Sequence, residues 1–376
     1  MDFGDSPAEA AFRERLRTWL RANIPPEPEV DDDASWARYR IDWHRRLYDA
    51  GWMGLSWPAE YGGQGLDEYY ELILSEELGR AGAPPKPYIG YLGRAVMEHG
   101  SPTQSRTYLP GFLSGRDRWC QGFSEPGAGS DLASLRTRAD QHGDGFTITG
   151  QKIWTSDAMW ADHCLLLART DPDAPAHAGL SAFMVDMRAE GVTVRPIVQI
   201  TGSREFCEVF LDGVHVHRDD LIGEPGAGWR VAMTAFEAER RPADLGFTAT
   251  YVRTLRRLES SLADPAPDGA KEELARRFVD ISVLQSYLRW RLSNTTDSPG
   301  APDRGFRSSI DKLLMTTTEQ ELERTELRLA GAGALTGRRP DALQRYLWSR
   351  AASIMGGTEQ IQKNIVAQRI LGLPRI

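Results

Sequence analysis

The sequence contains few cysteines, no long apolar run and no excess of positive charge. Only three of its 376 residues are cysteines, Cys120, Cys164 and Cys207, and their scatter excludes a disulfide framework or a metal-binding spacing. No apolar run is long enough to cross a bilayer, and the start, MDFGDSPAEAAFRERL, lacks the basic and apolar regions of a secretion signal. The formal net charge of −8 argues against nucleic acid as a partner. We therefore expect a soluble, cytoplasmic protein.

The order of the hydrophobic patterns predicts an α+β protein in three parts. Residues 1–118 carry helical stripes, beginning with a helix that Ser6 can cap and that Pro25 stops. Residues 119–222 contain short β-branched or aromatic segments, such as FTITG and HCLLLART, separated by turn residues, which indicates a central antiparallel β domain. The helical period returns in residues 223–376, where long helices suggest a bundle. Helices, then strands, then helices is an α+β order with a β insert.

Six motifs follow one another along nearly the whole chain: WPAEYGGQG, SEPGAGSD, GQKIWTS, VFLDGVHV, LIGEPGAGW and GGTEQIQKNIVAQRILG. A glycine-rich loop such as SEPGAGSD exposes backbone N–H groups and allows close approach to an anionic or polar ring system. One such loop is weak evidence, whereas six motifs in this order are specific. Together they resemble the acyl-CoA dehydrogenases. Other stretches, such as HAGLSAFMV and VRPIVQITG, look most like the actinobacterial branch associated with steroid and branched acyl-CoA breakdown.

The resemblance implies a fold and a reaction. Its fold is an N-terminal helical domain, a central β domain and a C-terminal four-helix bundle. Its reaction oxidises a saturated acyl-CoA to the trans-2-enoyl-CoA, with FAD taking the β-hydride and an electron-transfer flavoprotein receiving the electrons. A bulky, branched or steroid-derived acyl group is expected by analogy with the branch. Members usually form tetramers, so we expect a homo- or hetero-oligomer built as a dimer of dimers.

The resemblance assigns FAD contacts in the middle of the chain. Ser124 matches a hydroxyl that hydrogen-bonds the pyrimidine edge of the flavin, and Ser130 matches a serine near the cofactor phosphates and the CoA chain. Trp154 matches a tryptophan that packs against the isoalloxazine, and Ser156 matches a hydroxyl near flavin N5. Judged by residue type alone, Trp154 would be a core aromatic and the serines would be turn or cap residues.

Near the C-terminus the match to the FAD site is incomplete. Thr358 and Gln360 match contacts to the cofactor. An Arg…Phe-Gly motif that the family uses across its dimer interface is absent from residues 250–263, and Leu327 stands near the place of a glutamine that contacts the adenine half. Other residues of this chain, or a partner subunit, would then hold that end of FAD.

The catalytic base of most relatives is missing. A glutamate usually precedes the Gly-Thr of the terminal motif and removes the substrate α-proton, but this position is Gly356. Its backbone amide can still donate to the thioester carbonyl oxygen. A minority of the family carries the base on the first long helix after the β domain, in a motif that resembles LDLER. Here that helix contains FEAER, so Glu239 becomes the expected base, and Arg240 matches an arginine close to the CoA chain.

Two other glutamates are weaker candidates for the base. Glu359 lies in the terminal loop but three residues beyond the family position. Glu237 is about 200° around the helix from Glu239, so the two side chains cannot face the same pocket. An ordinary surface glutamate paired with an arginine is the common role for any such residue on a helix.

Two further functions fit part of the pattern. A flavin monooxygenase on the same fold needs no carboxylate base, which suits Gly356 but leaves Glu239 unexplained. A non-catalytic or FAD-sharing subunit of a heteromeric dehydrogenase would explain the missing adenine-side residues.

Overall fold

The computed structural model describes residues 4–29, 32–87, 90–241, 246, 248–262, 266–293 and 306–374. The chain divides into two compact units. The bundle unit consists of Met1–Pro26, Leu66–Lys86 and Arg240–Ile376, and the sheet unit consists of Glu27–Gly65 and Pro87–Glu239. Within the described part of the chain, every helix is too short or too polar to span a lipid bilayer.

The helices of the described residues are α1 (Pro7–Asn23), α2 (Asp33–Asp49), α3 (Glu68–Ala81), α4 (Gly90–His99), α5 (Pro102–Leu113), α6 (Gly228–Glu239), α7 (Ala249–Ser260), α8 (Ala270–Ser293), α9 (Ser308–Ala330), α10 (Ala332–Leu335), α11 (Pro340–Ala352) and α12 (Glu359–Ile365). The strands are β1 (Trp119–Gly122), β2 (Arg138–His142), β3 (Gly145–Ser156), β4 (His163–Arg169), β5 (Leu180–Asp186), β6 (Val192–Pro196), β7 (Phe206–His217) and β8 (Leu221–Ile222). The mixture of helical and strand segments agrees with the predicted α+β class.

The strands of the sheet unit form one sheet in the order β6-β7-β3-β2-β4-β5-β8, with β1 paired to β4. Most neighbours are antiparallel, as predicted. Two pairs are parallel: β1 with β4, from Trp119 beside His163 onward, and β2 with β4 at Arg138 beside Arg169. Parallel partners are joined by a crossover rather than a hairpin, so turn signals in the sequence did not reveal them.

Strand β4 is buried on both faces, which explains its unbroken apolar run. Leu165 and Leu167 belong to a cluster that helices α4, α5 and α6 complete, with Val231 of α6 among its members. Leu166 and Ala168 face the opposite cluster, which the other strands supply. Because successive side chains of a strand point to opposite faces, one short strand anchors both layers of the unit.

The bundle unit is built around α7, α8 and α9. Its main core joins Leu255 and Leu258 of α7, Leu284 and Leu288 of α8, and Leu322 of α9. Each such side chain contributes roughly 1.5–3 kcal/mol by its burial. Their spacing of three or four residues within α7 and α8 is the helical stripe that the sequence predicted.

Helix α1 begins and ends where its sequence indicates. The Ser6 hydroxyl accepts from the Glu9 amide at 3.3 Å, and the Glu9 carboxylate accepts from the Ser6 amide at 2.6 Å, which makes a capping box. The buried Arg13 of this helix donates to Glu76 and Glu77 of α3, at 2.9 and 2.7 Å. A charged contact therefore joins α1 to α3 within the bundle unit.

Candidate active site

The glycine-rich loop from Ser124 to Ser130 lies between β1 and β2 of the sheet unit. Two backbone hydrogen bonds of 3.0 Å between Glu125 and Ala128 close it into a tight turn. A Cβ atom added at Gly127 or Gly129 would meet no heavy atom within 4 Å. The loop therefore presents exposed backbone to its surroundings, as the sequence predicted.

A buried ion pair anchors this loop to β3. The Lys152 ammonium is fully buried and donates to Glu125 at 2.8 Å and to the Phe123 carbonyl at 3.2 Å. Burial lowers the pKa of Lys152 to about 8, against the opposing effect of Glu125. Burial alone would raise the pKa of Glu125, but Lys152, the Thr137 side chain and the Arg136 amide keep it below its ordinary value. Both groups are held charged inside the unit.

Strand β3 contains a bulge just after Lys152. Lys152 lies opposite Val209 of β7 and Thr155 lies opposite Cys207, so Ile153 and Trp154 together face a single residue of the partner. The extra residue shifts the alternation of the strand. As a result Lys152 is buried while Trp154, two residues on, has 56% of its surface exposed.

Trp154 combines an unusual backbone with an exposed ring. Its φ of +61° lies in the left-handed region, which costs a bulky residue about 1–3 kcal/mol and is typical of functional sites. The indole packs edge-on against Phe206, with ring centroids 6.3 Å apart. Residue type favoured a core aromatic, but the indole is exposed.

The sheet unit also offers hydroxyls that a flavin could use. Ser124 and Ser156 are half-buried and Ser130 is exposed. Among the described residues, no protein group hydrogen-bonds to these three hydroxyls. An exposed indole beside unpartnered donors provides the stacking face and polar contacts that a flavin ring needs. The residues present therefore fit the implied cofactor.

A cavity of about 370 Å³ is lined in part by the glycine-rich loop. Its lining includes Glu125, Ser134, Arg136, Thr137 and Gln151. The Gln151 amide donates to Glu208 of β7 at 2.9 Å, so this wall of the cavity is held by the sheet itself.

Helix α6 ends with the residue predicted as the base. Glu239 is its last residue and is half-buried, whereas Glu237 is exposed. The preceding Ala238 is buried in the core of the sheet unit. The structure therefore separates the two glutamates of this helix as the helical period predicted.

The terminal loop of the bundle unit carries two glycines in the left-handed region, Gly356 with φ +61° and Gly357 with φ +88°. A residue with a Cβ atom is disfavoured there, whereas glycine adopts it freely. Thr358 is the N-cap of α12, and its hydroxyl accepts from the Ile361 amide at 3.3 Å. Gln360 is exposed.

Glu359 is engaged away from the Gly356 position. Its carboxylate pairs with Lys363, one turn later on α12, at 2.6 Å. The carboxylate is therefore paired within its own helix, and its weakness as a candidate for the base stays a prediction.

Arg240 contacts the terminal segment through a buried glutamine. Its guanidinium donates to the Gln362 side chain at 2.9 Å. The Gln362 amide nitrogen donates in turn to the Gly356 carbonyl at 2.9 Å, and Lys312 of α9 donates to the Gly357 carbonyl. Gln362 was missed by the sequence reasoning, although it lies inside the terminal motif.

Comparison with known proteins places this geometry in a family. Three family models match in order: the acyl-CoA dehydrogenase N-terminal domain over residues 6–116, the middle domain over 120–214 and the C-terminal domain over 226–371. The acyl-CoA dehydrogenase IpdE1 of Mycobacterium tuberculosis is 38% identical over 382 residues, which cover 97% of each chain. The chain belongs to the acyl-CoA dehydrogenase family. It is thus an oxidoreductase of a flavoprotein family, as the resemblance implied.

Solved structures agree with this assignment. The Tcur3481-Tcur3483 steroid ACAD aligns with a TM-score of 0.86 at 30% identity and covers 100% of both chains. The ChsE4-ChsE5 complex from Mycobacterium tuberculosis aligns with a TM-score of 0.84 at 28% identity, again over 100% of both chains. The acyl-CoA dehydrogenase fold predicted from the motifs is therefore confirmed.

Proposed function

We propose that this acyl-CoA dehydrogenase catalyses FAD-dependent α,β-dehydrogenation of a bulky, branched or steroid-derived acyl-CoA, with Glu239 as the general base. The proposal rests on what the structure shows in the terminal loop and at the end of helix α6. The terminal loop holds Gly356 at a φ that favours glycine and has no carboxylate there. Helix α6 ends in a half-buried glutamate directly before Arg240.

The proposed chemistry divides between a carboxylate and a backbone amide. The α-proton of a thioester is weakly acidic, so its removal requires a positioned base and a donor to the carbonyl oxygen. Glu239 would take the α-proton, and the Gly356 N–H would donate to the carbonyl oxygen as enolate-like charge develops. The bond from Gln362 to the Gly356 carbonyl holds the next peptide unit, Gly356–Gly357, in place. Arg240 would lie near the CoA chain.

Five hydroxyl, amide or aromatic side chains would hold FAD: Ser124, Trp154, Ser156, Thr358 and Gln360. Ser130 would contact both the cofactor and the CoA chain. When bound, FAD supplies the two-electron oxidant that accepts the substrate β-hydride. This assignment is supported by the exposed indole of Trp154 and by the serine hydroxyls, which no described residue hydrogen-bonds.

The substrate class is proposed from the relatives. One solved structure with 30% identity is named a steroid ACAD, and motifs of this chain resemble the branch that degrades steroid and branched acyl groups. An electron-transfer flavoprotein is the proposed acceptor of the electrons, and the cytoplasm is the proposed location.

A second candidate is an FAD-sharing or non-catalytic subunit of a heteromeric dehydrogenase. The specific observation is the incomplete adenine-side match: residues 250–263 lack the Arg…Phe-Gly motif, and Leu327 of α9 stands near the place of the usual glutamine. ChsE4-ChsE5, a solved relative, is a complex. If the chain purified alone is colourless and gains flavin only with a partner, the subunit function holds. A yellow homo-oligomer excludes it.

Anaerobic mixing with a panel of acyl-CoAs tests the base. One of them should bleach the flavin absorption band of the wild type. Glu239→Gln should slow that bleaching about 10²–10⁴-fold, the usual contribution of a general base. Glu237→Gln is the matched control, because it removes an exposed carboxylate of the same helix, and it should react at the wild-type rate. Equal bleaching by Glu239→Gln and the wild type would show that Glu239 is not the base.

A further inference from the structure

Three consecutive residues after β1, Phe123 to Glu125, form hydrogen bonds to two consecutive residues of β3. The Lys152 ammonium donates to the Phe123 carbonyl at 3.2 Å and to Glu125 at 2.8 Å. Between them, the Ile153 amide donates to the Ser124 carbonyl at 2.9 Å. Ile153 lies in the bulge and therefore does not follow the regular pairing with β7. The bulge thus turns one backbone donor toward the loop.

The Glu125 carboxylate also holds the residues just before β2. It accepts from the Arg136 amide at 2.6 Å and from the Thr137 amide at 2.8 Å. One carboxylate thereby joins the start of the loop, the residues just before β2, and strand β3. Neither charged group is presented to solvent, since Lys152 is 0% exposed and Glu125 is 8% exposed.

We infer that the Glu125–Lys152 pair is a positioning element that sets the loop from Ser124 to Ser130 against the bulge that presents Trp154 and Ser156. The inference rests on the proposed function, because these two segments carry the proposed flavin contacts of the sheet unit. Glu125 and Lys152 are not themselves proposed flavin contacts. Their role would be to fix the geometry of the two segments before the cofactor binds.

Energetics favour positioning over simple stabilisation. Burying two charges costs desolvation free energy that their attraction barely offsets, so apolar residues of similar volume would stabilise a core as well or better. Hydrogen bonds and ion pairs are directional, so each fixes a donor and an acceptor in one geometry, which apolar packing does not do. Rigid support of this kind lowers the cost of ordering a site when its ligand binds.

The test compares Glu125→Gln with Asp162→Asn in the full-length chain, purified with any subunit that accompanies it. Asp162 is the matched control, because it is also 8% exposed and pairs with Arg118 of the same unit at 2.9 Å. FAD affinity is measured on stripped protein by quenching of flavin fluorescence. Glu125→Gln should raise the Kd for FAD by about tenfold or more, equivalent to about 1.4 kcal/mol. Asp162→Asn should lower the melting temperature but leave that Kd unchanged.

A flavin-free measurement separates this inference from the proposed function. Hydrogen exchange of the apoprotein should speed up at the amides of Arg136, Thr137 and Ile153 in Glu125→Gln but not in Asp162→Asn. Unchanged FAD affinity in Glu125→Gln would overturn the inference. An equal loss of FAD affinity in Glu125→Gln and Asp162→Asn, when the two variants have the same melting temperature, would also overturn it. A wild type that never binds FAD, alone or with its partner, would refute the proposed function instead.

A double variant covers the case in which Glu125→Gln does not fold. Glu125→Gln combined with Lys152→Met buries no charge, so it should fold while lacking the charged link. It should still bind FAD more weakly than the wild type does. Wild-type affinity in this variant would overturn the inference.

Discussion

Replacing Asp311 by alanine should destabilise the bundle unit by about 3–5 kcal/mol, because it leaves a buried arginine without its counterion. Asp311 of α9 accepts two hydrogen bonds of 3.2 Å from Arg291 of α8. The aspartate is 0% exposed and the arginine 6% exposed. Burial raises the pKa of Asp311 even beside Arg291, which shows how much desolvation the pair bears.

Thermal unfolding followed by circular dichroism measures this effect. With an unfolding entropy of roughly 2.1 cal/mol/K per residue, 376 residues give about 0.8 kcal/mol/K, so Asp311→Ala should melt roughly 4–6 °C below the wild type. Arg291→Met with Asp311→Leu should restore or exceed wild-type stability, since it removes both charges. Glu359→Ala, which breaks an exposed pair with Lys363, should change little. An unchanged melting temperature in Asp311→Ala would refute this reasoning.

Three further predictions address pH, the base and the terminal loop. Raising the pH from about 5 to about 8 should lower the melting temperature, because burial raises the pKa of Glu319 and Glu323 to about 7 and the folded state then retains protons that the unfolded state releases. Glu323→Gln should flatten that slope, and an unchanged slope contradicts the assignment. Adding Gly356→Glu to Glu239→Gln returns a carboxylate to the usual family position, so anaerobic flavin bleaching should recover in part. Recovery should be incomplete, since a φ of +61° costs a non-glycine residue about 1–3 kcal/mol, and no recovery would count against the relocated base. Gln362→Met should leave the Gly356 carbonyl without its donor and speed hydrogen exchange across the terminal loop, whereas unchanged protection would show that the loop is held by other contacts.

Helix ends and turns that depend on residues close in the chain could be predicted from the sequence. Helix α1 runs from Pro7 to Asn23 because a capping serine precedes it and prolines follow it, and both signals lie within a few residues of its ends. The turn between β2 and β3 follows from Gly143, which takes a φ of +59°. The parallel pairing of β1 with β4 could not be predicted in this way, because β2 and β3 separate these strands in the chain.

The candidate site was predicted from family motifs rather than from local patterns. Residue type places Trp154 in a core, and only its motif pointed to an exposed position. The buried state of Lys152 was not foreseen, because it depends on Glu125, 27 residues earlier in the chain. The roles of Glu239, Gly356 and the FAD contacts stay predictions until the variants above are measured.

The bulge of β3 constrains the number of residues between Lys152 and Thr155. Deleting one residue between Lys152 and Thr155 would restore one-to-one pairing with β7 without turning either of them over, because their partners Val209 and Cys207 already lie on one face of the sheet. The extra residue would be lost instead, and with it the left-handed backbone conformation that exposes the Trp154 indole. We expect aligned sequences of this family to vary in residue type here while keeping the residue count, and to accept insertions instead at the hairpin around Gly143.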